Sequence, residues 1–139
     1  MNVPYRHLDH TADLRVEVYG ETLEKLFANS AFAMFDTIAE LRHIPPRNQR
    51  TIHVDGIDLA DLMFNWLREL LSIWTVDKCL VSGTENIKIK ENSLLARAVC
   101  TPPLTDRSCL KHEIKAVTYH GLEVEKTDGL WTARVIFDV

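Results

Sequence analysis

Apolar and polar positions first alternate at Leu14, Val16 and Val18, set against Arg15, Glu17 and Tyr19. That two-residue period predicts a strand with one buried face. Gly20 ends it, and the period then changes. Leu23, Leu26, Phe27, Ala31, Met34, Phe35 and Ile38 recur at the steps of an amphipathic helix. Thr22 is placed to cap that helix, and Glu24 to meet its dipole. Pro45 and Pro46 forbid further helix and mark a loop. Ile52 and Val54 predict a short second strand, and Gly56 turns the chain. Asp58 offers an N-cap to a heavier stripe: Leu59, Leu62, Met63, Trp66, Leu67, Leu70, Leu71 and Trp74. A stripe this dense must cover something large, and a sheet is the natural partner.

The second half reads as strands. Ile87 and Ile89 alternate with Lys88 and Lys90, Glu91-Asn92 turns the chain, and Leu94 to Cys100 returns. Thr101 to Cys109 carries two prolines and polar residues, so it reads as a loop. Glu113 to His120 is β-rich, Gly121 interrupts it, and Leu122 to Lys126 continues. Asp128-Gly129 is a strong hairpin signal before Trp131, Ala133, Val135 and Phe137. The order β-α-β-α-β-β-β-β predicts an α+β fold in which two long helices pack on one face of a mostly antiparallel sheet. At 139 residues, with no linker or repeat, a single domain over 1–139 is expected. Trp66, Leu70, Trp74, Phe27, Met34 and Val135 should be buried.

Charge and cysteine content narrow the function classes. The formal net charge of −4 argues against a strong electrostatic grip on nucleic acid, which needs a basic face. Cys79, Cys100 and Cys109 form neither a disulfide framework nor a zinc spacing, so reduced thiols are expected. No stretch approaches the ~20 apolar residues that span a bilayer, and the start carries no apolar signal segment. A cytoplasmic protein is expected, or a nuclear one in a eukaryote.

Three places carry candidate chemistry. His7 to Asp13 reads His-Leu-Asp-His-Thr-Ala-Asp, a run able to supply oxygen or imidazole ligands, or merely turn hydrogen bonds and solvated charge. Asp138 and the terminal carboxylate of Val139 put two anions on adjacent residues after a well-patterned apolar strand. Their repulsion favours a hard cation, Ca²⁺, Mg²⁺ or Mn²⁺, although a chain end is more often frayed and solvated. Lys115 and His120 lie on one β-rich segment and have the chemistry to bind phosphate or trade protons. In a regular strand they face opposite sides, so one shared site needs a bend between them. Phosphate-binding glycine motifs and a nucleophile elbow are missing from the sequence.

Several motifs together resemble one family. His10-Thr11-Ala12-Asp13, an alternating strand and Tyr19-Gly20-Glu21-Thr22-Leu23 are similar to the opening of the archeases. Ala31-Phe32-Ala33-Met34-Phe35-Asp36 resembles their first helix, and Asp61-Leu62 through Trp66-Leu67-Arg68-Glu69-Leu70-Leu71 their second. Lys115-Ala116-Val117-Thr118-Tyr119-His120-Gly121-Leu122 and Trp131 to Asp138-Val139 resemble their closing signature. One segment departs: the family commonly has Gly-Glu where this chain has Cys100-Thr101.

The resemblance implies an accessory cofactor of the RtcB-type RNA ligase that seals tRNA exon halves. Such a protein promotes guanylylation of the ligase's active-site histidine, supports multiple turnover and relaxes the nucleotide preference. It implies no catalysis by the chain itself. It also implies a divalent-metal site, foremost for Ca²⁺, at Asp13, Asp138 and Val139, and a part for Lys115 in activation. His10 and His120 are the further activation candidates. Two other readings stand beside it: a small metal-dependent phosphohydrolase using Asp13, Asp138 and a histidine, and a chaperone-like binding module. For Asp13 and Asp138 to share a cation, the last strand must end beside the start of the first. An antiparallel pairing of those strands would bring this about.

Overall fold

A computed structural model of the chain describes residues 4–7, 13–42, 45 and 48–139. The elements run β1 (Tyr5–His7), β2 (Asp13–Gly20), α1 (Leu23–Ile38), β3 (Asn48–Asp55), α2 (Leu59–Asp77), β4 (Val81–Lys90), β5 (Ser93–Cys100), β6 (Ala116–Thr127) and β7 (Leu130–Asp138). The α+β class and the antiparallel pairing agree with the pattern of the sequence. Two details are corrected. Among the described residues a short strand that the pattern does not announce precedes β2, so the order there is β-β-α-β-α-β-β-β-β. The strands also divide into two sheets, β1-β2-β7-β6 and β3-β5-β4, in place of one.

The helices explain the division. On α1, burial covers Leu26, Phe27, Ser30, Ala31, Ala33, Met34, Phe35, Thr37 and Ile38. On α2 it covers Leu62, Met63, Trp66, Leu67, Leu70, Leu71, Ile73 and Trp74. Each set spans about half the circumference at ~100° per residue, wider than a helix lying on one surface needs. Accordingly α1 packs on β2 of the first sheet and β4 of the second, and α2 on β6 and β3. The Trp66 indole donates to the Phe27 carbonyl at 2.9 Å, tying the helices together inside the core. Trp66, Leu70, Phe27 and Met34 are fully buried, and Trp74 and Val135 nearly so.

Local chemistry sets the element ends. Thr22 Oγ1 accepts from the Lys25 amide at 3.1 Å, and Asp58 Oδ1 from the Asp61 amide at 2.8 Å, so both expected caps form. The approach to each helix follows one design: strand, glycine, one residue, cap. A Cβ on Gly20 would come within 2.7 Å of Leu26 Cα, and one on Gly56 within 2.8 Å of Leu62 Cα. Both glycines are needed because the helix backbone passes against them. Glu91-Asn92 and Asp128-Gly129 turn with positive φ at both residues (52° and 60°, 53° and 78°), the geometry of a tight hairpin.

Candidate functional site

β2 and β7 pair antiparallel in a register that sets Asp13 opposite Asp138, Leu14 opposite Phe137 and Val16 opposite Val135. Val16, Val135 and Phe137 enter the core. Burial of that face therefore fixes the register, since a slip of one residue would turn it to solvent. The consequence at the sheet end is that Asp13 and Asp138 start from the same face, with Cβ atoms about 5 Å apart. On the other side of β7, Ala116 pairs with Asp138, and the Lys115 amide donates to the Asp138 carbonyl at 2.7 Å. Asp13 and Val139 border a cleft of ≈ 560 Å³ with His7, Thr37, His112 and Glu113.

The structure brings together Asp13, Asp138 and Val139 and sets the Lys115 backbone against them. It does not bring His120 to Lys115. The β6–β7 register shifts between Thr118 and Glu123, but five residue steps at ~3.3 Å each still separate the two. Lys115 lines a second cleft beside Trp74. Tyr119, next to His120, packs edge-on against Phe64 with centroids 5.2 Å apart, about 15 Å back along α2 at ~1.5 Å per residue. His10 lies outside the described residues, as do Asp9 and Thr11.

The second cleft, of ≈ 630 Å³, is lined by Lys78, Arg107, Lys111, Glu113 and Lys115, with Trp74 and Thr75 from α2. His112 and Glu113 border both clefts. Sequence reading passes over this gathering. Lys78 lies beyond the helical stripe that ends at Trp74, and Arg107 falls within the 101–109 segment that reads as loop.

Charge is also buried where the pattern of the sequence places it at the surface. Glu17 reads as a solvent-facing strand residue, yet it is 6% exposed. Its carboxylate accepts from Arg6 at 2.9 Å, Tyr19 at 2.5 Å and Arg134 at 2.9 Å. Arg6 and Arg134 are its cross-strand partners on β1 and β7. The Tyr19 hydroxyl, followed by Arg6 and Arg134, holds the Glu17 carboxyl below its ordinary range, against the opposing effect of desolvation. The Tyr5 hydroxyl donates to Asp36 at 2.7 Å; burial, with that bond and the Asp36 charge, pushes it up to about 12.

The Cys100-Thr101 departure is internal. Both residues are fully buried. The Thr101 amide donates to the Leu80 carbonyl, and its hydroxyl accepts from the Leu80 amide, each at 2.9 Å. That reciprocal clamp fixes the turn out of β5. All three cysteines are free thiols, and among the described residues no helix is long and apolar enough to cross a membrane.

Fold and sheet end define a small two-sheet α+β protein whose first and last long strands carry opposed carboxylates. The chain belongs to the archease family: the family model described as Archease protein family (MTH1598/TM1083) matches residues 5–139. It is 37% identical to the protein archease of Methanosarcina mazei over 139 residues, 97% of this chain and 95% of that one. The protein archease of Methanopyrus kandleri is 35% identical over 140 residues, covering 99% of this chain and all of that one. Among solved structures, the solution structure of Methanobacterium thermoautotrophicum protein 1598 superposes with a TM-score of 0.79 at 29% identity, over 98% of this chain and 99% of that one. The crystal structure of an archease, possible chaperone, from Thermotoga maritima gives a TM-score of 0.68 over all of this chain and 98% of that one, and at 21% identity it speaks for the fold alone.

Proposed function

We propose that this chain is an accessory protein of an RtcB-type, tRNA-splicing RNA ligase, promoting guanylylation of the ligase's active-site histidine without a reaction of its own. In this reading it supports multiple turnover, relaxes the ligase's nucleotide preference and works in the cytoplasm. Family membership supports the reading, and the observation that carries it to residues is the opposition of Asp13 and Asp138. Like charges directly opposite in a sheet repel, so the pair is best satisfied by a cation between or beside them.

The donor chemistry suits a hard divalent cation, Ca²⁺ foremost, with Mg²⁺ or Mn²⁺ as alternatives. Asp13, Asp138 and Val139 offer oxygen alone, and the nearly inaccessible Cys79 and Cys100 stand elsewhere in the core. Ca²⁺ takes about 6–8 oxygens, more than this set provides. Among the described residues no group of three or more His, Cys, Asp or Glu side chains is arranged to hold a metal. Water or the partner would complete the shell, which leaves the cation accessible to a second protein. Lys115, joined to Asp138 through its amide, is exposed and in this reading offers a cation to the same partner.

The deciding experiment mixes this protein with a cognate ligase, GTP and divalent metal, and follows guanylylation of the ligase. Added protein should raise the rate and the number of turnovers, and Asp138→Asn should remove most of that gain. Equal ligase guanylylation with and without the protein would sink the reading. Phosphoester hydrolysis by the protein alone, abolished in Asp13→Ala, would replace it with the hydrolase.

A further inference from the structure

The cleft at the C-terminal end of α2 has a composition that the whole chain does not share. Lys78, Arg107, Lys111 and Lys115 line it against the carboxylate of Glu113, in a chain of formal net charge −4. Local roles account for part of this. Lys78 Nζ donates to the Thr75 carbonyl at 3.1 Å, at a helix end where the dipole welcomes a cation. Lys111 Nζ lies 3.9 Å from Asp36 Oδ1. Arg107 and Lys115 make no ion pair among the described residues. The ends of α1 and α2 contribute about half a negative charge each. Set against four cations, they leave the cleft positive even after Glu113 and Asp36 are counted.

The wall is held in place without a ligand. The Lys111 amide donates to the Ile38 carbonyl at 2.7 Å, the Glu40 amide to Cys109 at 2.8 Å and the Leu104 amide to Lys78 at 2.8 Å. Ile114 is buried between His112 and Lys115, and the Lys115 amide is fixed on Asp138. The four cationic residues thus border one concavity on a hydrogen-bonded backbone, so the backbone cost of assembling the site is already met in the folded chain.

We infer that this cleft is an anion site for a compact polyphosphate, the chemistry carried by the phosphate chain of a nucleoside triphosphate. Its volume of ≈ 630 Å³ falls within the ~300–1,000 Å³ of small-molecule clefts. A polynucleotide backbone calls for a basic track along a face, and here the adjoining cleft is bordered instead by Asp13 and Glu113. The four cationic residues line one hollow, which suits several negative charges held close together. The ligase reading is not needed for this inference, which concerns the isolated chain.

The test is calorimetric titration of the full chain in EDTA at low salt with tripolyphosphate, GTP and guanosine, beside amide shift mapping by NMR. Tripolyphosphate and GTP should bind with similar affinity, guanosine should not, and amides of Thr75, Lys111 and Lys115 should move. Binding should weaken as salt screens the charges. The double variant Arg107→Ala/Lys115→Ala should bind about tenfold more weakly or worse with an unchanged melting temperature, since both side chains are exposed. Lys90→Ala, an exposed lysine on β4, should bind as the parent does. Absence of tripolyphosphate binding overturns the site, as does an equal loss in Lys90→Ala. If tripolyphosphate fails to bind while the double variant no longer stimulates the ligase, the cleft is a docking surface for an acidic protein segment and the polyphosphate site is wrong.

Discussion

Asp13 stands directly opposite Asp138 across the β2–β7 pair, so residues from the two ends of the described chain share one face of one sheet. Without a cation this opposition is unfavourable, by about 0.2–1 kcal/mol for like charges facing each other in a sheet. Asp13→Asn should therefore leave metal-free stability unchanged or raise it by up to ~1 kcal/mol. The parent should gain stability when Ca²⁺ or Mn²⁺ is added, by the usual linkage of binding to folding, and the variant should gain much less. Urea unfolding with and without metal checks both halves. A variant stabilised by metal as strongly as the parent would take Asp13 out of the site.

Leu70 sits in the middle of α2 with no exposed surface. Truncation to alanine removes buried methyl and methylene groups and leaves a cavity, at a cost of ~2–5 kcal/mol. Denaturant unfolding at constant m-value measures it. A cost below roughly half a kcal/mol is a surface value and would contradict the packing of α2.

Glu17 predicts an acid limb in the stability of the protein. Its folded-state carboxyl is held below the ordinary 4.5. The stabilisation is therefore complete above about 4.5 and is lost as pH falls through the lower folded value. Glu17→Gln should flatten this limb while lowering stability at neutral pH by about 1–3 kcal/mol, the usual worth of a hydrogen bond to a charged group. Arg6 and Arg134 can turn to solvent in the variant, since their side chains are 61% and 55% exposed, which keeps the loss at the lower end. Urea midpoints across the acid range, compared for parent and variant, give the answer; parallel curves would assign the limb to other carboxylates.

Elements whose signal is local were legible in the sequence. Thr22 and Asp58 cap the helices they precede, and Asp128-Gly129 turns a hairpin, because each depends on a few adjacent residues. The juxtaposition of Asp13 and Asp138 followed from the family resemblance, because the shared site it implies requires one strand to end where the other begins. What else depended on distant segments was not legible. β1 has three residues, too few to show a period. Alternation tells which face of a strand is buried but not which strand lies beside it, so one sheet and two sheets read alike. Glu17 looks solvent-facing until Arg6 and Arg134 arrive from other strands. Lys78 follows α2, whereas Arg107, Lys111 and Lys115 lie on the connection from β5 to β6, and only tertiary packing brings the two segments to one cleft.

The paired corners at Gly20 and Gly56 bear on how this chain can vary. Neither glycine lines the two clefts described above, and neither carries a group that could bind or react, yet at both the Leu26 or Leu62 backbone occupies the space a side chain would need. In a saturating mutational scan scored for soluble protein, these two positions should reject every substitution, alanine included. Exposed neighbours such as Glu21 and Ile57 should accept most replacements. A lineage could recolour the surface around both corners and still be unable to change either glycine without first moving a helix.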